Sequence, residues 1–384
     1  MDGCSVYLVE SGFPEDLPGF SQEIPSASFP FWGTYCLLDF ALAAFGGVSE
    51  RACSVLAESR FRSLLPFLTA RAREERERLI ILDQSIEGSI DRLVDTVNRD
   101  PAGTILICPL TLTCEPDLEA LRAAARKCRD ILRISIQKVE TDLYVAEKRA
   151  LAAALQSCRE IPGLSHRLGP AVFSQALHRS FSAVQDISGR ILFQNNLTQL
   201  YKENIWLVGQ SAGVGLLGRL DSLGKNGSPA KGALIEKSGH VKNSLISPGA
   251  RIEGYVEGSF IFPDVVVNKG ASVVSSVVMN GNRIGGKAQL YKALVLPYVG
   301  DLGSSNIGES VSIGMREAGA RNFDYPKQIQ EGITVIGINA EVPKGLKIGS
   351  GCLVGARVGA QQLRGIKELA RSSTVLRTEE LEQG

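Results

Sequence analysis

One stretch of the sequence has glycine spacing that could hold a dinucleotide phosphate. Residues 213–218, GVGLLG, match the pattern G-x-G-x-x-G and follow the apolar run Ile205–Val208. The pattern binds phosphate only where it opens a helix, whose first N–H groups contact the ligand. Here the residues from 218 onward, GRLDSLGKNGSPAKG, are rich in glycine and disfavour a helix. We therefore interpret residues 211–232 as an interdomain linker and expect no bound cofactor.

Histidine could supply acid–base or metal chemistry, and the chain has three: His166, His178 and His240. His240 lies at the start of the repetitive C-terminal half, where hexapeptide-repeat acyltransferases use a histidine as general base. We interpret His240 as an exposed corner residue and keep such an acyltransferase as an alternative. The other two histidines fall in the N-terminal half, so a three-histidine metal site is not expected.

Cysteine could bind zinc or form disulfides, but its spacing here indicates neither. None of the eight cysteines forms a C-x-x-C pair, and most lie in apolar runs. They are Cys4, Cys36, Cys53, Cys108, Cys114, Cys128, Cys158 and Cys352. The pattern indicates buried thiols in a reducing cytoplasm.

Composition excludes several classes of protein. Hydrophobic residues make up 44% and charged residues 22% of the 384, as in globular proteins. A net charge of +1 gives no reason to expect nucleic acid or an anionic membrane as partner. No apolar run approaches 18 residues, and the N-terminus lacks the features of a signal peptide, so we expect a cytoplasmic protein.

The N-terminal half alternates strand-like and helix-like segments, which predicts a parallel α/β sheet. The strand candidates are Val6–Val9, Tyr35–Phe45, Cys53–Leu56, Leu79–Leu82 and Thr104–Cys108. The helix candidates are Arg60–Arg78, Ser89–Asn98 and Asp117–Cys128. We place this domain at residues 1–210.

From about residue 230, apolar residues recur at a step of six, which is typical of a hexapeptide β-helix. Each coil is expected to use three hexads with inward-pointing anchors, so that stacked coils share one core. The series are Ile246 and Ile252; Ile261, Val267, Val273 and Met279; Val278, Ile284, Leu290 and Leu296; Ile307 and Ile313; and Ile336, Val342, Ile348 and Val354. We place the β-helix at residues 233–363.

Two segments depart from the repeat. Residues 314–332, GMREAGARNFDYPKQIQEG, are expected to form a loop that projects from the β-helix. Residues 364–384 are charged and are expected to form a short capping helix and a tail.

Three stretches together resemble the ADP-glucose pyrophosphorylase family (glucose-1-phosphate adenylyltransferase). Residues 29–40, FPFWGTYCLLDF, resemble the family's F-G-G-x-[YF]-R-[LI]-I-D-F, and residues 58–65, ESRFRSLL, resemble a regulatory-subunit segment ending in R-S-L. The most specific match is PAK at 229–231, followed by VKNSLISPGARIEG at 241–254 and SSVVM at 275–279. The strand and helix start at 143–148, LYVAEK, are also similar.

The resemblance implies a Rossmann-like nucleotidyltransferase domain followed by a left-handed parallel β-helix, assembled into a tetramer. Catalytic members of the family make ADP-glucose and pyrophosphate from ATP and glucose 1-phosphate, for glycogen or starch. Some bacteria carry a second subunit that lacks the catalytic loop and modulates the first.

The family's phosphate loop, G-G-x-G-T-R-L, is degenerate in this sequence. The collinear residues 11–17 are SGFPEDL, in which Gly12 remains and Asp16 stands where the phosphate-binding arginine is expected. Pro14 in this stretch has no backbone N–H that could donate to a phosphate. Residues 1–50 contain seven acids and neither lysine nor arginine, so this segment cannot pair with a phosphate.

The metal-binding residues are degenerate as well. The family's strand that ends in G-D corresponds to residues 105–111, ILICPLT, so that Thr111 replaces the aspartate. Asp186 is the remaining candidate for a second metal-binding acid, and Mg²⁺ is expected only if catalysis persists. The few residues between Ile136 and Tyr144 also leave no room for the family's glucose-binding strands.

We therefore expect a truncated, non-catalytic, regulatory-type subunit that forms a homo-oligomer or a hetero-oligomer with a catalytic homologue. No intact catalytic, cofactor or metal residue is expected. The alternative is an active sugar-phosphate nucleotidyltransferase, for which cations such as Arg60 or Arg62 would have to converge on Gly12. The acyltransferase remains the second alternative.

Overall fold

A computed structural model describes residues 3–10, 13–14, 17–20, 25–48, 53–58, 78–82, 89–161, 170–210, 232–300, 305–314 and 319–377. These residues form an N-terminal α/β part and a C-terminal β-helix. The predicted helix at Arg60–Arg78 and the glycine motif at 213–218 lie outside the described residues, except that Arg78 begins a strand.

The N-terminal part contains a seven-stranded sheet in its described residues. The strands are β1 (Cys4–Glu10), β4 (Ser54–Glu58), β5 (Arg78–Leu82), β6 (Thr104–Pro109), β8 (Ile131–Ile136), β9 (Val139–Glu147) and β10 (Ala183–Ile187), in the order β10-β8-β9-β6-β1-β4-β5. Strand β9 runs antiparallel to β6 and β8, whereas the other neighbours are parallel. The predicted parallel α/β sheet is confirmed for four of the six strand pairs. The two pairs that β9 makes are antiparallel, because β9 returns through a hairpin from β8.

Helices cover both faces of this sheet. They are α1 (Leu37–Phe45), α2 (Ser89–Arg99), α3 (Leu118–Lys127), α4 (Lys148–Ser157) and α5 (Pro170–Ser180). Apolar residues of α1 and α3 pack against one face of the sheet and form one core layer with it. Apolar residues of α2, α4 and α5 form a second core layer with the opposite face. The helices predicted at Ser89–Asn98 and Asp117–Cys128 are confirmed, and the side chain of Asp117 caps the latter.

The strand predicted at Tyr35–Phe45 is wrong, because all but its first two residues form helix α1. Every residue of α1 is buried, so the apolar run had no polar face that would reveal a helical period. Asp39 fixes the start of the helix, since its carboxylate accepts a hydrogen bond of 2.8 Å from the backbone N–H of Cys36.

Smaller elements complete the N-terminal part. Strands β2 (Pro30–Trp32) and β3 (Tyr35–Cys36) form one antiparallel pair, and β7 (Leu112–Pro116) and β11 (Gly189–Gln194) form another, which we call the β7–β11 ribbon. Helix α6 (Leu197–Val208) follows and packs on the β-helix.

The C-terminal half is a β-helix with three parallel sheets, as the repeat predicts. The first sheet contains β12 (Leu234–Ile235), β15 (Arg251–Ile252), β18 (Val266–Val267) and β21 (Arg283–Ile284). The second contains β13 (His240–Lys242), β16 (Tyr255–Glu257), β19 (Ser272–Val274), β22 (Gln289–Tyr291), β24 (Ser312–Ile313), β26 (Lys347–Ile348) and β28 (Glu368–Leu369). The third contains β14 (Leu245–Ile246), β17 (Phe260–Ile261), β20 (Val277–Val278), β23 (Ala293–Val295), β25 (Thr334–Ile336), β27 (Leu353–Val354) and β29 (Thr374–Val375).

The predicted anchors form the β-helix core. All of them are buried except Ile246, which is half-buried in the first coil. In the third sheet Ile261, Val278, Val295 and Ile336 pair in one column. Met279 and Leu296 lie one residue past this column, just beyond the ends of β20 and β23, and they are buried in the same core.

The expectations for the loop and the tail need correction. Residues 319–332 do not project; they pack against α6 and the last coils, and we call them the strap. The capping helix was wrong, because β28 and β29 continue two sheets by pairing with β26 and β27. Leu369 turns inward while Glu368 faces solvent, which is strand alternation.

Candidate functional site

In an open α/β sheet, ligands bind beyond the carboxyl ends of the parallel strands. Here that edge lies beyond β1 and β6, which pair in parallel from Cys4 opposite Thr104 to Val9 opposite Pro109. Gly12 and Asp16 belong to this edge by sequence but lie outside the described residues, as do Arg60 and Arg62. The described residues of this edge include Glu10 at the end of β1, Phe13, Leu17 and Phe20 after it, and Thr111 after β6.

A buried carboxylate lies at the end of β1. Glu10 has no solvent exposure, and its carboxylate accepts hydrogen bonds from the backbone N–H of Ser26 at 3.0 Å, the hydroxyl of Ser26 at 2.6 Å and the backbone N–H of Ala27 at 2.5 Å. A buried ionised group is tolerable only with such donors. These N–H groups are consequently engaged by the chain's own carboxylate.

The described part of the loop after β1 is aromatic and buried. The ring of Phe13 lies 4.2 Å from that of Phe20 and 5.1 Å from that of Phe29 between centroids. All three, with Leu17, belong to the core that includes the β-helix interior. Because these side chains are packed into apolar surroundings, the described loop residues form an interdomain anchor and offer no polar side chain to a phosphate.

The backbone of the same loop bonds to the β-helix. The carbonyl of Gly19 accepts a hydrogen bond of 2.8 Å from the N–H of Ile338. Gly19 has φ +83°, and a β-carbon there would meet Leu296 and Leu353 at 3.5 and 3.6 Å. Glycine thus permits the left-handed backbone, whereas the space beside it would accept a β-carbon in ordinary van der Waals contact.

Thr111 is buried in the turn between β6 and β7. Its neighbour Leu110 is fully buried, and the N–H of Leu110 donates to the carbonyl of Val9 at 2.9 Å. A threonine hydroxyl is a neutral donor and acceptor, whereas Mg²⁺ is held by carboxylates in protein sites. The turn therefore does not fit a divalent cation.

Asp186 is an exposed residue of β10, and its carboxylate is bonded within its own sheet. It accepts hydrogen bonds from the hydroxyl of Ser135 at 2.6 Å and from the backbone N–H of Lys138 at 2.7 Å. The Ser135 bond, followed by the Lys138 bond, lowers the pKa of Asp186. Asp186 thus supports the hairpin between β8 and β9, and the described residues contain no group of three His, Cys, Asp or Glu that could hold a metal.

The hairpin between β8 and β9 confirms the short connection expected from the sequence. Ile136 pairs with Val139, so only Gln137 and Lys138 form the turn, with φ of 50° and 64°. A two-residue turn with positive φ at both positions is the type I′ geometry that suits a hairpin. At this position the chain has no additional strands that could form a sugar pocket.

The remaining candidates do not come together. His240 is exposed on β13 and its Nδ1 lies 3.1 Å from the carbonyl of Ser238, and His178 lies at the end of α5 beside Phe181. His166 lies outside the described residues. The acyltransferase alternative, which needs a cleft between protomers, stays untested.

All eight cysteines are free thiols, and seven are buried while Cys4 is half-buried. Burial raises the pKa of Cys4 to about 11 and raises those of Cys108, Cys114 and Cys128 as well. High pKa values keep these thiols protonated and unreactive, so none is a nucleophile here.

Glu10 and the aromatic anchor were missed by reasoning from the sequence. The aromatic residues between positions 13 and 45 are frequent enough to indicate an apolar interface. Nothing in the sequence near Glu10 indicates that its carboxylate is buried, because the groups that donate to it lie 16 and 17 residues further along the chain.

Comparison with known proteins agrees with this architecture. Residues 228–336 match the family described as GlmU-like, C-terminal hexapeptide. The chain is similar to glucose-1-phosphate adenylyltransferase of Acetivibrio thermocellus, with 35% identity over 136 residues, 35% of this chain and 30% of the relative. It is also similar to the enzyme of that name from Fervidobacterium nodosum, with 31% identity over 32% of this chain and 28% of the relative. A third enzyme of that name, from Bacillus cytotoxicus, is 43% identical over 16% of this chain and 17% of the relative.

The matched segments thus cover less than a third of each relative. Together with the described fold they define a protein that combines a mixed α/β N-terminal domain and a hexapeptide β-helix, homologous in part to glucose-1-phosphate adenylyltransferases. In the part of the chain that the structure describes, no helix has the length and hydropathy needed to span a bilayer.

Proposed function

We propose that this protein is a non-catalytic, regulatory-type subunit of a glucose-1-phosphate adenylyltransferase, acting in ADP-glucose synthesis beside a catalytic homologue. The similarity to enzymes of that name supports the pathway. The observation that carries the loss of catalysis is the burial of Phe13 and Phe20 in the interdomain core, beside the engaged carboxylate of Glu10.

The chemistry of nucleotidyl transfer explains why this observation matters. Negative charge on the transferring phosphates must be balanced by cations, metal or N–H groups that are already in place. The first 50 residues supply seven acids and no lysine or arginine. Opening the loop to admit a triphosphate would expose Phe13 and Phe20 to water and would bring the nucleotide towards these acids.

The groups that would bind the metal and the sugar phosphate are missing from the described residues as well. Thr111 offers no carboxylate to a metal, and Asp186 is engaged by Ser135 and Lys138. The two-residue hairpin at Gln137 and Lys138 leaves no strands to enclose a sugar phosphate. Loss at three separate positions supports the subunit over an enzyme with a divergent loop.

The role in an assembly rests on the same features. A chain that keeps the fold but not the reactive groups can still pack against a catalytic homologue and bias its conformation. Its free thiols suit a reducing compartment such as the cytoplasm. We therefore expect a hetero-oligomer, with neither nucleic acid nor membrane as partner.

Calorimetric titration with ATP and Mg²⁺, followed by ADP-glucose, tests the proposal. We expect no saturable heat, and no pyrophosphate release when glucose 1-phosphate is added. The glucose-1-phosphate adenylyltransferase of Acetivibrio thermocellus, assayed in the same buffer, is the positive control. Mg²⁺-dependent ATP binding with pyrophosphate release by this chain alone would overturn the proposal. Co-expression with a catalytic homologue from the same genome tests the assembly, since a stable complex with altered kinetics is expected.

A further inference from the structure

Helix α6 lies between the two domains and contacts both. It packs against β17 and β20 of the β-helix and against β2 and β11 of the N-terminal part. The hydroxyl of Tyr201 donates a hydrogen bond of 2.6 Å to the carbonyl of Ser275 in the β-helix. The helix is therefore placed to transmit changes between the domains.

The first turn of α6 is bonded to the strap, residues 319–332. The hydroxyl of Thr198 donates to the carbonyl of Gln328 at 2.9 Å and accepts from the N–H of Gln330 at 3.0 Å. The N–H of Thr198 donates to the same carbonyl at 3.0 Å, and Lys202 pairs with Glu331. Because Thr198 is buried, its own three bonds are shielded from competition with water, whereas the pair of Lys202 and Glu331 is exposed.

The other end of the strap is bonded to the last coils of the β-helix. The side-chain amide of Asn322 donates to the carbonyls of Gly351 at 3.0 Å and Ser373 at 3.2 Å. Its oxygen accepts from the hydroxyl of Thr374 at 3.0 Å and from the N–H of Asp324 at 3.0 Å. One buried side chain thus joins the strap to two successive coils.

The second half of α6 is bonded to the β7–β11 ribbon. Arg190 of β11 pairs with the carboxylate of Glu203, and its guanidinium lies 4.3 Å from the centroid of the Trp206 ring. Arg190 also pairs in register with Glu115 of β7, the strand that follows the turn at Thr111. A continuous set of contacts, buried at Asn322 and Thr198 and partly exposed at Arg190, therefore runs from the last coils to the β7–β11 ribbon.

We propose that the strap and α6 form a coupling device, through which loosening or ordering of the last coils changes the local stability of the β7–β11 ribbon. A partner bound to the last coils would then act on the β7–β11 ribbon of the N-terminal part without touching it. The proposal does not depend on the loss of catalysis, because it concerns local opening of the folded chain.

Amide hydrogen exchange of the full chain tests the device. Thr198→Val keeps the side-chain shape and removes both hydroxyl bonds, so exchange of β11 and of residues 349–354 should become roughly tenfold faster. Thr141→Val is the matched control, since the buried Thr141 hydroxyl likewise donates once, to Ile134, and accepts once, from Leu143. Its effect should stay within β8 and β9.

Asn322→Ala tests the coupling from the other end of the strap, where it meets the last coils. It should accelerate exchange in α6 and in β11 as well as in the last coils, although α6 does not contact Asn322 through any of the bonds described. If each variant accelerates exchange only among its own hydrogen-bonding neighbours, the domains open independently and the proposal is wrong. Should Asn322→Ala fail to fold, Thr198→Val alone still tests the proposal, because this variant must accelerate amide exchange at residues 349–354.

Discussion

The carboxylate of Glu10 accepts a hydrogen bond of 2.6 Å from the hydroxyl of Ser26, inside the protein and at the carboxyl end of the interior strand β1. The backbone N–H groups of Ser26 and Ala27 donate to the same carboxylate. A carboxyl group of the chain is thus held where this fold usually receives an anionic ligand. It accepts hydrogen bonds from three donors of one short segment.

Replacement of Glu10 should destabilise the protein strongly. Glu10→Ala leaves three buried donors without an acceptor, which we expect to lower the free energy of unfolding by about 3 kcal/mol. Glu10→Gln should cost less, because one amide oxygen can still accept. Urea unfolding measures both. Glu119→Ala, which removes an exposed carboxylate, is the control and should change stability by less than about 0.5 kcal/mol. Equal stability of Glu10→Ala and the control would contradict the role of Glu10.

The aromatic anchor allows a comparison between two identical substitutions. Phe20→Ala removes a buried ring between the domains and should lower the free energy of unfolding by about 3 kcal/mol. Phe323→Ala removes a ring that is 76% exposed and should cost less than about 0.5 kcal/mol. Thermal unfolding of the two variants checks the difference. Similar losses in both would mean that the loop after β1 does not anchor the domains.

The β-helix was predictable because its repeat is a direct consequence of its geometry. Every coil must bury apolar anchors at a fixed step. The spacing of residues such as Val267, Ile284 and Ile348 from their neighbouring anchors is therefore enough to predict the β-helix. Two expectations failed where spacing was ambiguous. The apolar run around Asp39 is a fully buried helix, which lacks a polar face, and Leu369 alternates with charged neighbours in a strand that looked helical.

For the candidate site, the sequence shows which types of residue are present but not the contacts they make. Substitutions such as Thr111 in place of an acid can be seen in the sequence, because they change the type of residue available for chemistry. The contacts around these positions cannot be seen in the sequence, since Glu10 meets Ser26, and Gly19 meets Ile338, only after the tertiary fold forms. For the same reason the strap was expected to project, although Gln328 bonds Thr198 from 130 residues away.

The cysteines should be almost inert in the folded protein. Burial raises the pKa of Cys4 to about 11, so at pH 8 only about 0.1% of this half-buried thiol is the reactive thiolate. We expect very slow reaction with a disulfide reagent at pH 8 and reaction of all eight thiols in 6 M guanidinium chloride. Cys4→Ser should lower the unfolded count to seven without a change in the folded rate. Rapid labelling of one thiol in the native protein would reveal a reactive cysteine that burial does not protect.

The hydrogen bonds of Asp186 predict a specific dependence on pH. The Ser135 hydroxyl and the Lys138 N–H lower the pKa of Asp186 in the folded state below its ordinary value of 3.8. A carboxyl whose folded pKa is depressed stabilises the protein above its unfolded pKa, and the contribution disappears as the pH falls through the folded pKa. An NMR titration should therefore find Asp186 ionised at pH values where an unfolded aspartate is half protonated. Ser135→Ala should raise the pKa of Asp186, whereas Ser272→Ala, on the β-helix, should leave it unchanged. An Asp186 that titrates at its ordinary value in the native protein would show that its bonds within the sheet do not form, and would restore it as a candidate metal ligand.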